Sequence, residues 1–362
     1  MRAGPGQVLA GRYRLTGRPE ALNALAVDER SGDAVRLRAL ELPALLTGGQ
    51  EPDAPVPAQG EWLVRRVAEV GAAAPRHPRL LQGAGAFVEG DLLWTVEERP
   101  AGVPLAALLA EGPLPPYRAA EIAADLAGAL RALHEAGLAH GNPTAESVLV
   151  CEDGAALLGG LLPGVAQEAL AEELGGPGGR RRYEVRATLV GPVAERWPLD
   201  GGPAGDCWAL GVLLHRMVTG RSPYPEGGVP ELVTAVRDGR RVPAEACGPL
   251  GPLVERLLQP DPARRPTAAE IRGELAELLA AAPEPVDGER VARVPEPRAE
   301  GPVAPKARRS KGGGGAGRSR PAAESGPRRR PLVPPALLGP LLVGGVFLLL
   351  VAGVTAVVLF AG

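Results

Sequence analysis

The stretch from Pro115 to Val150 constrains the fold more than any other part of this sequence. Pro115-Pro116 suits the start of a helix. Proline lacks a backbone N–H, and the N–H groups of a first turn have no partner inside the helix in any case. Four apolar residues then recur at helical spacing: Ile122, Leu126, Leu130 and Leu133. Gly137 suits the end of this helix. A polar loop follows, and then the apolar run Val148 to Val150, which is typical of a buried strand. A buried helix joined through a polar loop to a buried strand predicts an α+β fold.

The polar loop, from His140 to Ser147, resembles the catalytic loop of eukaryotic-type (Hanks-type) bacterial serine/threonine protein kinases. His140 stands where that family has its histidine. Asn142 stands at the position of the catalytic Asp, and Ser147 at the position of the metal-binding Asn. The resemblance implies a structural role for His140 and a loss of chemistry at the other two positions, since an amide cannot act as a carboxylate base.

The beginning of the chain resembles the small lobe of the same kinases. Where the family has a glycine-rich loop over the phosphates, only Gly17 remains, and Pro19 removes a backbone donor there. Arg38 falls at the position of the phosphate-binding lysine. It admits two interpretations, a phosphate contact or a solvated arginine on an edge strand, and we favour the second. Glu69 lies near the position of the glutamate that pairs with this lysine, but is displaced.

The middle and later parts of the chain resemble the large lobe. Gly160 falls at the position of the magnesium-binding Asp, and the sequence from 154 to 199 contains no Asp. By contrast, the family residues that hold the large lobe together are matched by Glu195, Asp206 and Arg265. The resemblance implies that Glu195 and Arg265 form a buried pair. The Gly- and Arg-rich segment 175–182 is expected to be mobile.

The apolar periodicity stops after residue 281, and the remaining sequence has a different character. Residues 282–331 are rich in Pro, Gly and Arg, which predicts a disordered linker. Within it, Lys306 to Arg330 carries nine Lys or Arg and one Glu, about +8, although the whole chain has a net charge of -2. The globular part is therefore acidic and the linker basic.

The last 31 residues, 332–362, contain no charged side chain. The run from Leu337 to Phe360 is long enough to cross a bilayer, which needs about 20 apolar residues. Arg328 to Arg330 precede this run, so the positive-inside rule places the N-terminal domain in the cytoplasm. We therefore predict a single-pass cell-membrane protein whose basic linker contacts anionic lipid headgroups.

Together these patterns predict a two-lobed, protein-kinase-like α+β fold with one transmembrane helix. The small antiparallel β lobe is expected at residues 9–100, the mainly helical large lobe at 101–281, the linker at 282–331 and the transmembrane helix at 332–362. The N-terminus lacks the apolar core of a signal peptide. The cysteines Cys151, Cys207 and Cys247 are dispersed, so a zinc site is not expected.

The substitutions fall on the catalytic positions and spare the scaffold, which favours a pseudokinase that is not an enzyme. On this interpretation the chain is a membrane-anchored regulatory or scaffolding module in signalling. The alternative is an atypical active serine/threonine protein kinase that transfers phosphate from ATP to protein Ser or Thr. No catalytic group is intact on the family pattern, since its positions are filled by Arg38, Asn142, Ser147 and Gly160.

We assign no cofactor from the sequence: ATP binding is expected to be weak, and magnesium and other metals are not expected. The expected partners are the membrane and other proteins, such as an active kinase or a phosphopeptide-binding protein. The basic linker alone would also fit a nucleic-acid-binding protein. It lacks interleaved aromatic residues, and the adjacent apolar run explains its charge better, so nucleic acid is not expected.

Overall fold

The structure is a computed structural model of the 362-residue chain. It describes residues 4–19, 22–42, 57–176, 180–197 and 201–282. The chain divides into two compact units, Met1–Pro297 and Arg298–Gly362, and all the described residues lie in the first. The predicted linker beyond residue 282 and the predicted membrane span at Leu337–Phe360 lie outside them. Within the described ranges, no helix is both long and apolar enough to cross a membrane.

The first lobe is built on a six-stranded antiparallel sheet with the order β1-β2-β3-β4-β6-β5. Its strands are β1 (Val8–Leu9), β2 (Tyr13–Leu15), β3 (Asn23–Asp28), β4 (Ala34–Glu41), β5 (Gly83–Glu89) and β6 (Leu92–Glu98). Helix α1 (Pro57–Ala73) interrupts the strand sequence and packs on β5. Alternation explains the sheet: Val35 and Leu37 of β4 are buried on one face, while Arg36 and Arg38 point to the other.

The second lobe is mainly helical. A small sheet of β7 (Val103–Pro104), β8 (Val148–Val150) and β9 (Ala156–Leu158) lies where the chain enters it. Its helices are α2 (Leu105–Glu111), α3 (Pro116–Glu135), α4 (Leu161–Gly175), α5 (Arg180–Val190), α6 (Gly202–Thr219), α7 (Val229–Arg237), α8 (Gly251–Leu257) and α9 (Ala268–Ala280). Three 3₁₀ turns join them, at Ala194–Arg196, Ala244–Leu250 and Pro262–Arg264.

Helices α3 and α6 form the centre of the helical lobe. The apolar residues predicted for α3 are all buried, and α6 is buried over most of its length, including Trp208, Leu210 and Leu213. Helix α9 packs on α3 and begins with a capping box between Thr267 and Glu270. This packed helical core is what holds the loop at residues 140–147 in place. The two-lobed α+β fold predicted from the sequence is confirmed.

Candidate active site

The loop that follows α3 is held by one buried carboxylate, Asp206, near the start of α6. Its Oδ2 accepts a hydrogen bond from the backbone N of His140 at 2.8 Å, and its Oδ1 accepts from the backbone N of Gly141 at 2.8 Å. The ring of His134 contacts the same carboxylate, with Nε2 2.9 Å from Oδ2. Asp206 is 1% exposed, so these contacts replace its lost water. The backbone of the loop is therefore fixed from behind.

His140 completes this fixed loop from within. Its side chain is fully buried, and its Nδ1 accepts a hydrogen bond from the backbone N of Asn142 at 3.2 Å. Burial lowers the pKa of His140 to about 4, outweighing the opposite influence of Asp206. The ring is therefore neutral at neutral pH, and it positions the loop backbone.

Asn142, at the position of the family's catalytic Asp, is 2% exposed and engaged at both ends of its amide. Its Nδ2 donates to the carbonyl of Gly160 at 3.2 Å, while its Oδ1 accepts from Nε of Arg196 at 2.9 Å. Ser147 is also committed, because its hydroxyl donates to the carbonyl of Thr144 and accepts from the N of the same residue, both at 2.8 Å. In this conformation the polar atoms of Asn142 and Ser147 therefore form hydrogen bonds within the chain.

Gly160 marks the point where β9 gives way to α4. Its φ of +84° lies in the left-handed region, which suits glycine. A Cβ there would lie 3.0 Å from Nδ2 of Asn142 and 3.1 Å from Nη1 of Arg38. Any larger side chain must displace the amide or the guanidinium. The glycine at this position and the arginine at residue 38 therefore fit one another sterically.

Arg38 lies in the cleft between the lobes, so the interpretation of a solvated arginine on an edge strand is wrong. Its side chain is 11% exposed, and β4 is an interior strand between β3 and β6. Its Nη2 donates to the backbone carbonyl of Glu146 at 2.9 Å, linking the sheet to the catalytic loop. Its Nε lies 3.4 Å from Oε1 of Glu97.

Glu97, Arg36 and Arg196 are cleft residues that our sequence reasoning missed. Glu97 is opposite Arg36 in the β4–β6 register, and their charged groups lie 3.8 Å apart. Its Oε2 also accepts from the backbone N of Gly160 at 2.7 Å. Pairing β4 with β6 in the sequence could have predicted the contact of Arg36 with Glu97, because two arginines on one face of a strand need a nearby acceptor. Nothing in the local sequence indicated that Arg196 would reach Asn142.

The segment after Gly160 is helical. The part of residues 175–182 that the structure describes includes the end of α4 and the start of α5, which differs from the mobile segment we expected. Arg182 and Arg186 of α5 both contact Glu168 of α4. These ion pairs hold α4 and α5 together, and so account for the helical structure of this segment.

Glu69 does not reach the cleft, although its helix α1 packs on α4. Glu69 of α1 is 61% exposed and lies 3.9 Å from Arg66, on the outer side of the helix. The glutamate nearest to the expected position therefore does not reach Arg38.

The expected pairing of Glu195 with Arg265 is wrong. Oε1 of Glu195 lies 3.2 Å from Nε of Arg216 on α6, and burial raises the pKa of this carboxyl above its ordinary value. Arg265 stacks on the ring of Trp208, 5.1 Å from its centroid, and donates to the carbonyl of Ala204 at 3.0 Å. Both residues still join neighbouring elements of the helical lobe, through different partners.

Comparison with known proteins identifies the family. The family profile described as protein tyrosine and serine/threonine kinase matches residues 66–275, more than half of the chain. The chain belongs to the protein kinase family. The match begins within α1, so it does not include strands β1 to β4.

Several kinases are similar to this one over part of their length. A serine/threonine-protein kinase of Streptomyces coelicolor, PkaA, is 32% identical over 200 residues, which are 54% of this chain and 36% of that protein. Another, pkn2 of Myxococcus xanthus, is 28% identical over 225 residues, 58% of this chain and 26% of that protein. This kinase therefore spans only about a third or less of their length.

A solved structure shows the same fold. The crystal structure of the PknI kinase domain of Mycobacterium tuberculosis has a TM-score of 0.54 and 18% sequence identity, and covers 77% of this chain and 100% of that chain. At that identity the likeness is one of fold.

The comparisons correct our expectation that the chain is not an enzyme. The matched profile is that of a kinase domain, and the similar proteins are named serine/threonine-protein kinases. The interpretation as a non-catalytic pseudokinase is therefore wrong on these findings, which favour the alternative of a protein kinase enzyme.

A groove of about 400 Å³ adjoins the catalytic loop of this kinase. Helix α2, the end of the loop, the 3₁₀ turn at Ala194–Arg196 and α6 form its walls, and three of its lining residues are acidic: Glu146, Glu195 and Glu226. Arg216 contacts two of them, Glu195 and Glu226. Glu146 is exposed at the rim, so the groove is open to a basic chain segment.

Magnesium, which the family implies, does not fit the residues present. A hard cation binds carboxylate and other oxygen ligands. Here Gly160 offers no side chain, the amide oxygen of Asn142 faces a guanidinium, and Ser147 is engaged by Thr144. Across the described residues, no group of three or more Asp, Glu, His or Cys is arranged to hold a metal. The cleft instead presents Arg36 and Arg38, whose charges repel a dication.

Proposed function

We propose that this chain is an atypical serine/threonine protein kinase that transfers phosphate from ATP to Ser or Thr of a protein. The observation that carries the proposal is the fixed catalytic loop, in which Asp206 and His140 hold the backbone on either side of Asn142. Phosphoryl transfer needs little covalent chemistry from the enzyme and depends on positioning and on electrostatic stabilisation. A loop held in this way supplies the positioning.

The charge for this reaction comes from the arginines of the cleft. Arg38 of the sheet lobe lies beside Gly160, and Arg196 of the helical lobe hydrogen-bonds to Asn142. Guanidinium groups bind phosphate oxygens in a fork and stay charged at neutral pH. In this proposal they neutralise the phosphates, and the amide oxygen of Asn142 orients the attacking hydroxyl by accepting its hydrogen bond. The bond from the γ-phosphorus to the bridging oxygen of ATP breaks, ADP leaves, and the hydroxyl proton passes to an oxygen of the transferred phosphoryl group, because an amide cannot take it up.

The conformation described above is an inactive state in this proposal. Arg196 occupies the amide oxygen of Asn142, and α4 packs against the catalytic loop. Gly164 of α4 is so close to the loop that a Cβ would collide with the carbonyl of His140. Activation therefore requires α4 to move away from the loop and the guanidinium of Arg196 to turn from Asn142 towards the phosphates. The turn at Ala194–Arg196 stays as a wall of the acidic groove, which receives the protein substrate.

Transfer of labelled phosphate tests this function. The full chain is incubated with ATP labelled at the γ-phosphate, alone and with generic basic acceptor proteins, and phosphorylated Ser or Thr is identified by mass spectrometry. We expect label on protein, and its loss in Asn142→Ala and Arg38→Gln. Thr234→Ala, on the exposed side of α7, serves as a control that keeps the activity. Absence of label under every condition, or label that survives Asn142→Ala, contradicts the proposal.

We further propose that the kinase is anchored in the cell membrane by residues 337–360, with its lobes in the cytoplasm. The support is the uncharged run at the end of the chain and the basic residues before it. The linker would then contact anionic lipid, and protein partners would meet the kinase at the membrane. Alkaline extraction of cell membranes tests this: the full chain should stay in the pellet, whereas a chain ending at residue 331 should be released.

A further inference from the structure

The cleft carries more positive than negative charge at the place where the family has its metal. Arg36 and Arg38 have side chains that are 12% and 11% exposed, and both face one carboxylate, Glu97, which is 8% exposed. Arg196 adds a third guanidinium, which hydrogen-bonds to the neutral amide of Asn142. Three cations around one direct anion leave a net positive cleft.

The chemistry of these side chains shows that they crowd one another. Burial, and after it the neighbouring charge of Arg38, lower the pKa of Arg196 to about 10. Burial and then Arg38 likewise lower the pKa of Arg36. Like charges held together in a partly dry cleft favour the arrival of an anion, because an anion relieves their repulsion.

The pairing within the cluster is also incomplete. Nε of Arg38 and Oε1 of Glu97 are both buried, lie 3.4 Å apart, and each lacks a hydrogen-bond partner among the described residues. Buried polar groups are normally satisfied, so the pair of Arg38 and Glu97 is incomplete, and a phosphate oxygen that displaced Glu97 would give Nε of Arg38 the acceptor it lacks. Two other buried carboxylates near the loop are engaged elsewhere: Asp206 holds the backbone of residues 140 and 141, and Glu195 pairs with Arg216.

We propose that this cleft binds the phosphate groups of a nucleoside triphosphate directly through Arg36, Arg38 and Arg196, without a divalent cation. The guanidinium groups take over the charge neutralisation that magnesium performs elsewhere in the family. The absence of a side chain at Gly160 is part of this arrangement, because Nη1 of Arg38 lies 3.1 Å from where a Cβ would stand. The inference rests on the proposed function in one respect, that ATP is the phosphate donor.

Calorimetric titration of the full chain tests the inference, with ATP and inorganic tripolyphosphate as ligands in EDTA and in excess magnesium chloride. We expect binding in EDTA that magnesium does not strengthen. Arg38→Gln should weaken it by about tenfold or more, corresponding to about 1.4 kcal/mol. Arg237→Gln, an arginine whose side chain is 72% exposed, is the matched control and should bind as the unchanged chain does.

A second variant keeps the inference testable if Arg38→Gln fails to fold. Glu97→Gln removes the competing carboxylate and leaves all three arginines, so it should bind ATP in EDTA more tightly than the unchanged chain. Binding that requires magnesium overturns the inference, as does weaker binding in Glu97→Gln. Phosphate transfer is recorded separately: metal-free binding without transfer rejects the kinase function alone, whereas transfer with binding only in magnesium rejects the metal-free cleft alone.

Discussion

Two buried carboxylates near the catalytic loop, Asp206 and Glu97, have very different surroundings. Asp206 receives two backbone hydrogen bonds at 2.8 Å and contacts His134. Glu97 receives one backbone hydrogen bond, from Gly160, and two arginines at 3.4 and 3.8 Å that do not bond well to it. A complete set of partners is typical of a structural group. An incomplete set beside excess positive charge is typical of a site that binds something else.

The largest effect should come from removing the complete network. Asp206→Ala leaves the backbone N–H groups of residues 140 and 141 buried without an acceptor. We expect it to lower the free energy of unfolding by about 3–5 kcal/mol, the usual range for breaking a buried charged network. Denaturant unfolding followed by the fluorescence of the buried Trp197 and Trp208 measures this.

Asp238→Ala is the control for that experiment, because this carboxylate lies at the surface end of α7. It should change the free energy of unfolding by no more than about 0.5 kcal/mol. If Asp206→Ala lowers the free energy of unfolding as little as this control does, Asp206 does not have the structural role that distinguishes it from Glu97.

Acid should weaken the same network through His140. Burial lowers the pKa of this residue from 6.5 to about 4 in the folded state, so the unfolded chain takes up the proton first as the pH falls. The stabilisation is therefore complete above pH 6.5 and is lost as the pH falls towards 4. The expected loss is up to about 3 kcal/mol, since one pKa unit corresponds to about 1.4 kcal/mol.

Unfolding measured at several pH values, for the unchanged chain and for His140→Asn, isolates this contribution from that of the carboxylates. The variant should be less stable near neutral pH and should depend less steeply on pH between 6.5 and 4. Equal slopes in the two proteins would show that another group titrates in this range.

In the cleft, a double-mutant cycle on Arg38 and Glu97 should show a smaller effect on the free energy of unfolding than the changes at Asp206 and His140. Arg38→Gln leaves Glu97 with a more distant partner, and we expect it to cost about 1–3 kcal/mol of unfolding free energy. Adding Glu97→Gln should recover most of that loss, because the uncompensated charge disappears. A double variant that is less stable than Arg38→Gln would mean that Glu97 stabilises the fold independently of Arg38.

The smallest effect is expected at Gly160. Gly160→Ala introduces a Cβ at a φ of +84° and at 3.0–3.1 Å from Asn142 and Arg38. The left-handed conformation and the close contacts should together cost about 1–2 kcal/mol. Gly137→Ala, at a φ of +72° where a Cβ meets nothing within 4 Å, is the control in thermal unfolding, and an equal shift in both variants would show that no steric fit exists at Gly160.

The sequence predicted much of the fold because the signals involved are local or periodic. The spacing of Ile122 to Leu133 identified α3, and Thr267 with Glu270 identified the start of α9. Gly160 and Asn142 could be placed because they stand at short, fixed distances from His140. Helix α5 was missed, since the Gly- and Arg-rich stretch before it has no apolar periodicity and the helix is held by ion pairs to Glu168 of α4.

By itself, the sequence determined the two-lobed architecture, and the family resemblance predicted that Arg38, Asn142, Ser147 and Gly160 stand at catalytic positions. The tertiary structure alone decided what the replacements do: it brought Arg38 from the sheet to the carbonyl of Glu146 and Arg196 to the amide of Asn142. It also gave Glu195 the partner Arg216 in place of Arg265. The physical reason is that charge pairing depends on distance and burial between groups far apart in the chain, and a local pattern carries neither.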